Sequence, residues 1–374
     1  MLNMETAQPH IIFHSFPKEV EAFNQFLDIY YPIRLDIPPD QPIKGLRVPK
    51  ECICRFCKKK YPEVKFKKEA HIIPQSLGNR FLISDFECDE CNELFGKNEN
   101  DLNNWLGIIR TLSGTKGKKG VPAFKSVSEQ VTAKLVNFLS TEGTKVVFKD
   151  NAAFSYDEQT GNTKFEFEKG PYTPIKVYKS FLKMAMCFMP ESELPDYSPA
   201  LDFLHGSDDN YGFKIFARLI CHELPIQHQL NRPCGLLFER MDVEAKVPKH
   251  FFLLYYEQFI YGFPIPLNLS DLKSGIYKSG NISLTYPPPV LFEKPNEQSQ
   301  FFNHFEDFGD CVRRQSEKCI VSLNTCLPSF EKLIAVDPNT GESTPAEMKD
   351  TKVAGLYFVP EGTTIKTGEK FSLP

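Results

Sequence analysis

Two Cys-x-x-Cys pairs constrain the fold of this chain more than any other feature of its 374 residues. Cys54 pairs with Cys57 and Cys88 with Cys91, with thirty residues between the pairs. Each pair can place two thiolates about 2.3 Å from one zinc ion and so complete a closed tetrahedral site. Because four thiolates leave no coordination position for a substrate, the spacing predicts a structural zinc ion. Cys52 is either an alternative ligand or a bystander.

The composition favours a large folded core in a reducing compartment. The chain is 41% hydrophobic and 13% aromatic, whereas disordered chains contain few aromatic residues. Its longest apolar stretches fall far short of the roughly 20 residues that span a bilayer, and we find no signal-peptide pattern. We therefore expect a cytoplasmic protein without membrane contact. Its eleven cysteines are then more suited to metal binding than to a disulfide framework.

The charge distribution is uneven although the net charge is only −4. Residues 51–80 carry eight Lys or Arg against three Asp or Glu, and residues 110–125 add five basic residues without an acid. Between them, residues 81–109 carry seven acids and one lysine. Basic segments on both sides of an acidic one suit a site that holds phosphates around a cation, but they are also typical of an ordinary solvated surface.

We expect three parts along the chain. Residues 1–50 form an extension that ends in a proline-rich connector, and residues 51–125 form a domain around the cysteine pairs. Residues 126–374 mix helix and strand patterns, which predicts an α+β fold with a mostly antiparallel sheet.

Local patterns predict several elements. Short strands are expected within 64–73 and 80–84, followed by a helix that begins near Cys88. Prolines at 174 and 190 bound an apolar periodicity that predicts an amphipathic helix. Further strands are predicted at 213–221, 234–240, 251–261 and 318–324.

The stretch "EAHIIPQSLGN" at 69–79 contains a histidine, His71, that is either a packed core residue or a catalytic base. A zinc ion held by both cysteine pairs would pin the strand region to the start of the helix, and so bring His71 near Asn92, which follows Cys91. Phosphodiester hydrolysis needs a base to activate water and a divalent cation to stabilise the leaving oxygen. A histidine on a strand and an oxygen ligand on a facing helix would supply these two requirements.

These residues resemble a known family. "HIIPQSLGN", followed by "CDECNELFG" and enclosed by the paired Cys-x-x-Cys motifs, is similar to the HNH (ββα-metal) endonucleases, in particular to a bacterial subgroup with an AHIIP…SLGN…CxxCN signature. The resemblance covers about residues 54–122. It implies a zinc-stabilised ββα-metal nuclease domain that uses Mg²⁺ or Mn²⁺ in catalysis.

The resemblance also implies roles for single residues. His71 matches the general base that deprotonates the attacking water, and Asn92 matches the metal ligand carried by the helix. The middle residue of the motif, which orients the histidine, matches Asn79, with Asp85 as the other candidate.

The sequence departs from the wider family at one position. Many HNH enzymes have an aspartate or histidine metal ligand directly before the base, where this chain has Ala70. Glu69 is the nearest oxygen donor and the expected second ligand, although strand alternation places it on the same face as His71. Glu93 and Glu99 are the alternatives.

Basic residues near the motif are candidates for contact with nucleic acid. The loop "GTKGKKG" at 114–120 either binds phosphates through its lysines and backbone N–H groups or is a flexible connector. The expected contacts are Lys67, Lys68, Arg80, Lys116, Lys118 and Lys119.

The predicted function is a metal-dependent endonuclease that cuts DNA, with RNA as the alternative substrate. The resemblance makes anti-phage defence or restriction a natural setting, with the C-terminal region used for recognition, sensing or assembly through a regulatory partner or a homo-oligomer. The competing hypothesis is a zinc-stabilised binding module whose catalysis has lapsed, which Ala70 makes conceivable. A second group of possible metal ligands does not have the spacing of a known metal-binding motif and is expected to be structural. Its members are His205, Cys221, His222 and His228.

Overall fold

The computed structural model of the chain covers most of the segments for which the sequence predicts helices or strands. The described residues are 12–39, 52–138, 141–148, 154–157, 162–206, 217–225, 228–277, 285–324, 333–336, 340, 342–346 and 355–358. Most of the predicted connector before residue 51, and residues 213–216 of one predicted strand, lie outside them.

Six α-helices and seventeen strands lie within these ranges. The helices are α1 (Val20–Leu27), α2 (Asp89–Leu106), α3 (Ile109–Leu112), α4 (Pro174–Phe188), α5 (Ser198–His205) and α6 (Leu269–Ser274). The strands are β1 (Tyr30–Asp36), β2 (Ala70–His71), β3 (Ile83–Ser84), β4 (Phe124–Lys125), β5 (Val131–Phe138), β6 (Thr141–Phe148), β7 (Phe154–Asp157), β8 (Asn162–Lys169), β9 (Arg218–Glu223), β10 (Leu230–Arg240), β11 (His250–Glu257), β12 (Phe259–Pro264), β13 (Phe302–Asp307), β14 (Glu317–Asn324), β15 (Leu333–Val336), β16 (Ser343–Ala346) and β17 (Gly355–Phe358).

The strand pairs of the described residues are all antiparallel. The chain is therefore a mixture of helices and antiparallel sheets, as the sequence predicts. Among the residues that the structure describes, no helix combines the length and apolar character needed to cross a membrane.

The chain divides into two compact units, each built from two separate stretches of sequence. The first unit comprises residues 1–102 and 173–312, and the second comprises residues 103–172 and 313–374. Both cysteine pairs and His71 thus belong to the same unit as α4 and β9–β13. The three-part division predicted along the chain, at residues 50 and 125, stays a prediction.

A six-stranded sheet in the order β1-β10-β11-β12-β9-β13 forms the framework of the first unit. The sequence predicts one strand over 251–261, and this prediction is wrong because the chain reverses there. Strands β11 and β12 form a hairpin that pairs Tyr256 with Phe259, and Glu257 adopts a positive φ of 54° in the turn. Glu-Gln is not a favoured tight-turn sequence, so the local pattern gave no sign of the reversal.

Helix α4 confirms the predicted helix but is buried more completely than an amphipathic helix would be. Every residue of α4 except Lys176 is buried, including Lys179 and Lys183. Its Phe188 ring packs 5.1 Å from that of Phe252 on β11. The sheet accommodates this ring because position 235 is glycine, where a Cβ atom would lie 2.3 Å from Cζ of Phe188.

The second unit contains a four-stranded sheet in the order β17-β6-β5-β4 and a three-stranded sheet in the order β14-β8-β7. Its core cluster consists of Ile108, Phe124, Val131, Ala133, Val146, Phe165 and Phe167.

Candidate metal centre and active site

Both cysteine pairs meet at one point in the first unit. The Sγ atoms of Cys54, Cys57, Cys88 and Cys91 all lie within 4.8 Å of one another. The Cys54–Cys91 Sγ distance is 3.7 Å and the Cys57–Cys88 distance is 3.8 Å. Sulfur atoms at the corners of a tetrahedron, each about 2.3 Å from a zinc ion, lie about 3.8 Å apart. The four side chains therefore have the spacing that tetrahedral zinc requires, and Cys52 lies outside this group.

The local backbone explains how each pair forms. In the first pair the N–H of Lys58 donates to the carbonyl of Cys54 (2.9 Å), and Lys58 takes a positive φ of 59° to close the turn. In the second pair the N–H of Cys91 points at Sγ of Cys88 (3.5 Å), at the start of α2. A helix N-terminus favours a negatively charged thiolate.

Three thiols of the cluster have shifted pKa values. The hydrogen bond with Cys91 lowers the pKa of Cys54 to about 4, whereas burial raises the pKa of Cys88 to about 12. The hydrogen bond with Cys54 is also the main cause of the raised pKa of Cys91. One thiolate therefore forms readily, whereas the hydrogen bond to that thiolate, burial and its charge oppose ionisation of Cys88 and Cys91, which a bound cation would offset.

His205 lies against this cluster, which the sequence did not predict. Its Nε2 atom is 3.3 Å from Sγ of Cys91, and its Nδ1 donates to the carbonyl of Leu201 (2.8 Å). Because a carbonyl only accepts, Nδ1 carries a proton and Nε2 faces the sulfur. His222 is buried elsewhere, and burial lowers its pKa to about 4.

Strands β2 and β3 form a two-residue ladder that carries His71. Ala70 pairs with Ser84 and His71 with Ile83. The ring of His71 is only 9% exposed, and its Nε2 lies 3.4 Å from Oε1 of Glu69, whose side chain is 58% exposed. Glu69 therefore lies on the same side as His71, as strand alternation predicts.

Asn79 clamps the loop between these two strands. Its Nδ2 donates to the carbonyls of Ile73 (2.6 Å) and Leu82 (3.0 Å), while its Oδ1 accepts from the N–H groups of Phe81 (3.2 Å) and Leu82 (2.9 Å). The side chain is completely buried. These bonds act on the backbone that continues from His71. Asp85, the alternative middle residue, is exposed.

The start of α2 is bonded directly to the segment that leads into β2. Oδ1 of Asp89 accepts from the N–H groups of Lys67 and Lys68, each at 2.8 Å, and its own N–H donates to the carbonyl of Lys65 (2.8 Å). Asn92 follows one turn later and is partly exposed. Its backbone N–H donates to the carbonyl of Cys88 (2.9 Å). Asp89 thus joins the segment that leads into the strand of His71 to the start of the helix that carries Asn92. Asp89 is not among the site residues predicted from the sequence, although an acid at a helix start is a recognisable signal.

The two alternative acidic ligands have different surroundings. Glu93 is 67% exposed and pairs with Lys68 at 3.2 Å. Glu99 is partly buried, and burial raises its pKa to about 7 although the charge of nearby Lys183 opposes the shift.

All six candidate nucleic-acid contacts are exposed. Lys67, Lys68 and Arg80 belong to the first unit. The lysines of the "GTKGKKG" loop belong to the second unit, where Gly117 and Gly120 exchange backbone hydrogen bonds of 3.0 and 3.2 Å around a tight turn.

Comparison with known proteins identifies the segment that contains this site. Residues 54–101 match a family model described as HNH endonuclease. Neither a search of curated proteins nor a search of solved structures found a match to the chain. The matched segment begins at the first cysteine of the cluster and includes all four cysteines, His71, Asn79 and Asn92.

Proposed function

We propose that this chain, which carries an HNH endonuclease segment, is a metal-dependent endonuclease that hydrolyses phosphodiester bonds of DNA. The observation that carries the proposal is that Asp89, in the first turn of α2, accepts hydrogen bonds from the backbone just before β2, while the four cysteines meet near the start of α2, all inside the matched segment. Metal-assisted hydrolysis needs a base and ligands for a cation, and this segment offers a histidine as the base and an amide oxygen as one ligand.

His71 is the proposed general base. A proton on Nε2, attracted by the carboxylate of Glu69 at 3.4 Å, leaves Nδ1 as the basic nitrogen that takes the proton from water. Asn79 keeps the loop after His71 in one conformation through its four backbone hydrogen bonds.

Asn92 and Glu69 are the proposed ligands of the catalytic cation. Both offer oxygen atoms, which Mg²⁺ and Mn²⁺ prefer, and neither is fully buried. When bound, such an ion would stabilise the negative charge that develops on the leaving oxygen. The four cysteines would hold a separate zinc ion with a structural role.

Exposed basic side chains are the proposed contacts to the nucleic-acid backbone. Lys67, Lys68 and Arg80 lie within the matched segment, and the three lysines of the 114–120 loop add positive charge in the second unit. Each phosphate contact that these residues make should add to the salt dependence of binding.

The biological setting is proposed by analogy with the family. We propose a cytoplasmic role in anti-phage defence or restriction. Residues 126–374 would serve recognition, sensing or assembly, through a regulatory protein or a second copy of the chain. A different function, a catalytically lapsed module that still binds nucleic acid, is favoured by Ala70 at the position where many HNH enzymes carry a metal ligand.

Plasmid nicking with Mg²⁺ or Mn²⁺ distinguishes these two functions. His71→Ala should lower the cleavage rate by about 10²–10⁴-fold, because it removes the base that activates water. The control is His304→Ala, which removes an exposed histidine on β13 outside the matched segment and should cut like the wild type. Equal cleavage by wild type and His71→Ala would refute the role of His71. DNA binding by both proteins without cleavage by either, with both ions tested, would support the lapsed module.

A further inference from the structure

We propose that Lys183 is a positioning residue for the nuclease site, whose buried ammonium group fixes the backbone of His71. The proposal rests on the proposed function, since it assigns Lys183 a role in holding the general base. Lys183 lies on α4, more than one hundred residues after His71 and outside the segment that matches the HNH endonuclease model.

The contacts of Lys183 are short and buried. Its Nζ donates to the carbonyl oxygen of His71 at 2.6 Å. The same Nζ lies 3.1 Å from Oε2 of Glu87, and the two side chains are 2% and 0% exposed. Glu87 directly precedes Cys88, so a single ammonium group links the histidine strand to the second cysteine pair.

A buried lysine charge is costly unless partners compensate for it, and here they do. Burial by itself would lower the pKa of Lys183, but nearby groups, chiefly the carboxylate of Glu87, outweigh burial and raise the pKa. The group therefore stays a charged donor, and a charge-assisted hydrogen bond holds a carbonyl more firmly than a neutral one does.

The strand that carries His71 needs such support. The β2–β3 ladder is only two residues long, and so short a pair provides little stability by itself. The hydrogen bond from Lys183 reaches the carbonyl of His71 from a helix that is itself buried in the first unit. A displacement of the base by about 1 Å can cost two orders of magnitude in rate.

The first cysteine pair sets where α4 lies relative to the site. Arg55, between Cys54 and Cys57, donates from Nη1 to the carbonyls of Met186 (3.0 Å), Cys187 (3.0 Å) and Met189 (2.8 Å) at the end of α4. Helix α4 is therefore bonded to the cysteine cluster at its end and to the His71 strand one turn earlier. This geometry makes α4 a part of the active-site support.

The test uses the double variant Lys183→Met/Glu87→Gln in the full-length protein. Removing both charges avoids leaving one buried and unpaired. The control is Lys179→Met, since Lys179 is equally buried one turn earlier on α4 but donates to the carbonyl of Gly206 (2.9 Å). We expect kcat of the double variant to fall about 10–100-fold with KM unchanged, and kcat of the control to stay within twofold of the wild type.

A second readout does not depend on cleavage. The chain has eight histidines, and His71→Ala assigns the Cε1 resonance of His71 in protein labelled at histidine. The double variant should shift or broaden this resonance, whereas Lys179→Met should leave it in place. If the wild type fails to cut DNA, the proposed function fails, but the His71 resonance still tests the positioning role.

A folded double variant with unchanged kcat and an unchanged His71 resonance would overturn the proposal. If circular dichroism shows that the double variant does not fold, Lys183→Arg replaces it, because this variant keeps Glu87 paired. Its larger guanidinium should lower kcat at least threefold and move the His71 resonance. No change in either measurement would again overturn the proposal.

Discussion

The carboxyl group of Glu99 should make the stability of the protein depend on pH between about 4.5 and 7. Glu99 lies on α2 near the charge of Lys183, and burial raises its pKa from 4.5 to about 7. A rise of this size corresponds to about 3 kcal/mol of difference between the two protonation states. We predict that Glu99→Gln removes this dependence.

The direction of this pH dependence follows from the raised pKa of Glu99. The folded chain binds the Glu99 proton more tightly than the unfolded chain, so unfolding is favoured once the carboxyl is ionised. The penalty is absent below about pH 4.5, grows as the pH rises, and is complete above about pH 7. Relative to the wild type, Glu99→Gln should therefore gain up to about 3 kcal/mol in free energy of unfolding between pH 4.5 and 8, apart from a constant offset.

Urea unfolding followed by circular dichroism at several pH values, without added divalent cations, measures this difference. Glu90→Gln is the control, because it makes the same chemical change at an exposed position of the same helix. A difference between Glu99→Gln and wild type that stays the same from pH 4.5 to 8 would refute the reasoning.

Three further substitutions test the metal centre and the loop. Cys88→Ser should reduce zinc from about one ion per chain to none and unfold residues 54–110, as elemental analysis and limited proteolysis would show; a folded, zinc-loaded variant would contradict the four-thiolate site. His205→Ala should weaken zinc about 10–100-fold in competition with a chelator, because it removes the partner 3.3 Å from Cys91; unchanged affinity would mean that this contact does not support the site. Asn79→Ala should lower the free energy of unfolding by roughly 2–4 kcal/mol in urea, since buried backbone groups lose their partners; a loss below 1 kcal/mol would show that the loop is held by other contacts.

The elements near the cysteine pairs could be predicted because their signals are local. Thiolate spacing alone predicts that Cys54, Cys57, Cys88 and Cys91 come together, and the structure brings their sulfur atoms within 4.8 Å. Helix α4 was equally predictable from its bounding prolines and apolar periodicity. In both cases a short motif or a periodic pattern is enough to predict the structure.

Contacts between distant segments could not be predicted in this way. Lys183 and His71 are 112 residues apart, and His205 and Cys91 are 114 apart. A lysine in a helix pattern normally indicates a solvated face. Only the tertiary packing shows that Lys183 points inward, toward Glu87 and the carbonyl of His71.

The role of Asn79 shows a different limit. The motif predicts that this residue orients the histidine, but not by which bonds. The structure shows that its hydrogen bonds go to Ile73, Phe81 and Leu82, so any effect on His71 passes through the loop backbone. A motif indicates which residue types are used, whereas the partners depend on how the loop closes.

An anomalous diffraction experiment on crystals grown with Mn²⁺ tests the central claim most directly. We predict a manganese peak bonded to Oδ1 of Asn92, close to His71, and a separate zinc peak among the four cysteine sulfurs. Manganese absent from Asn92 at millimolar concentration, with the zinc site filled and the fold intact, would contradict a metal-dependent nuclease at this position.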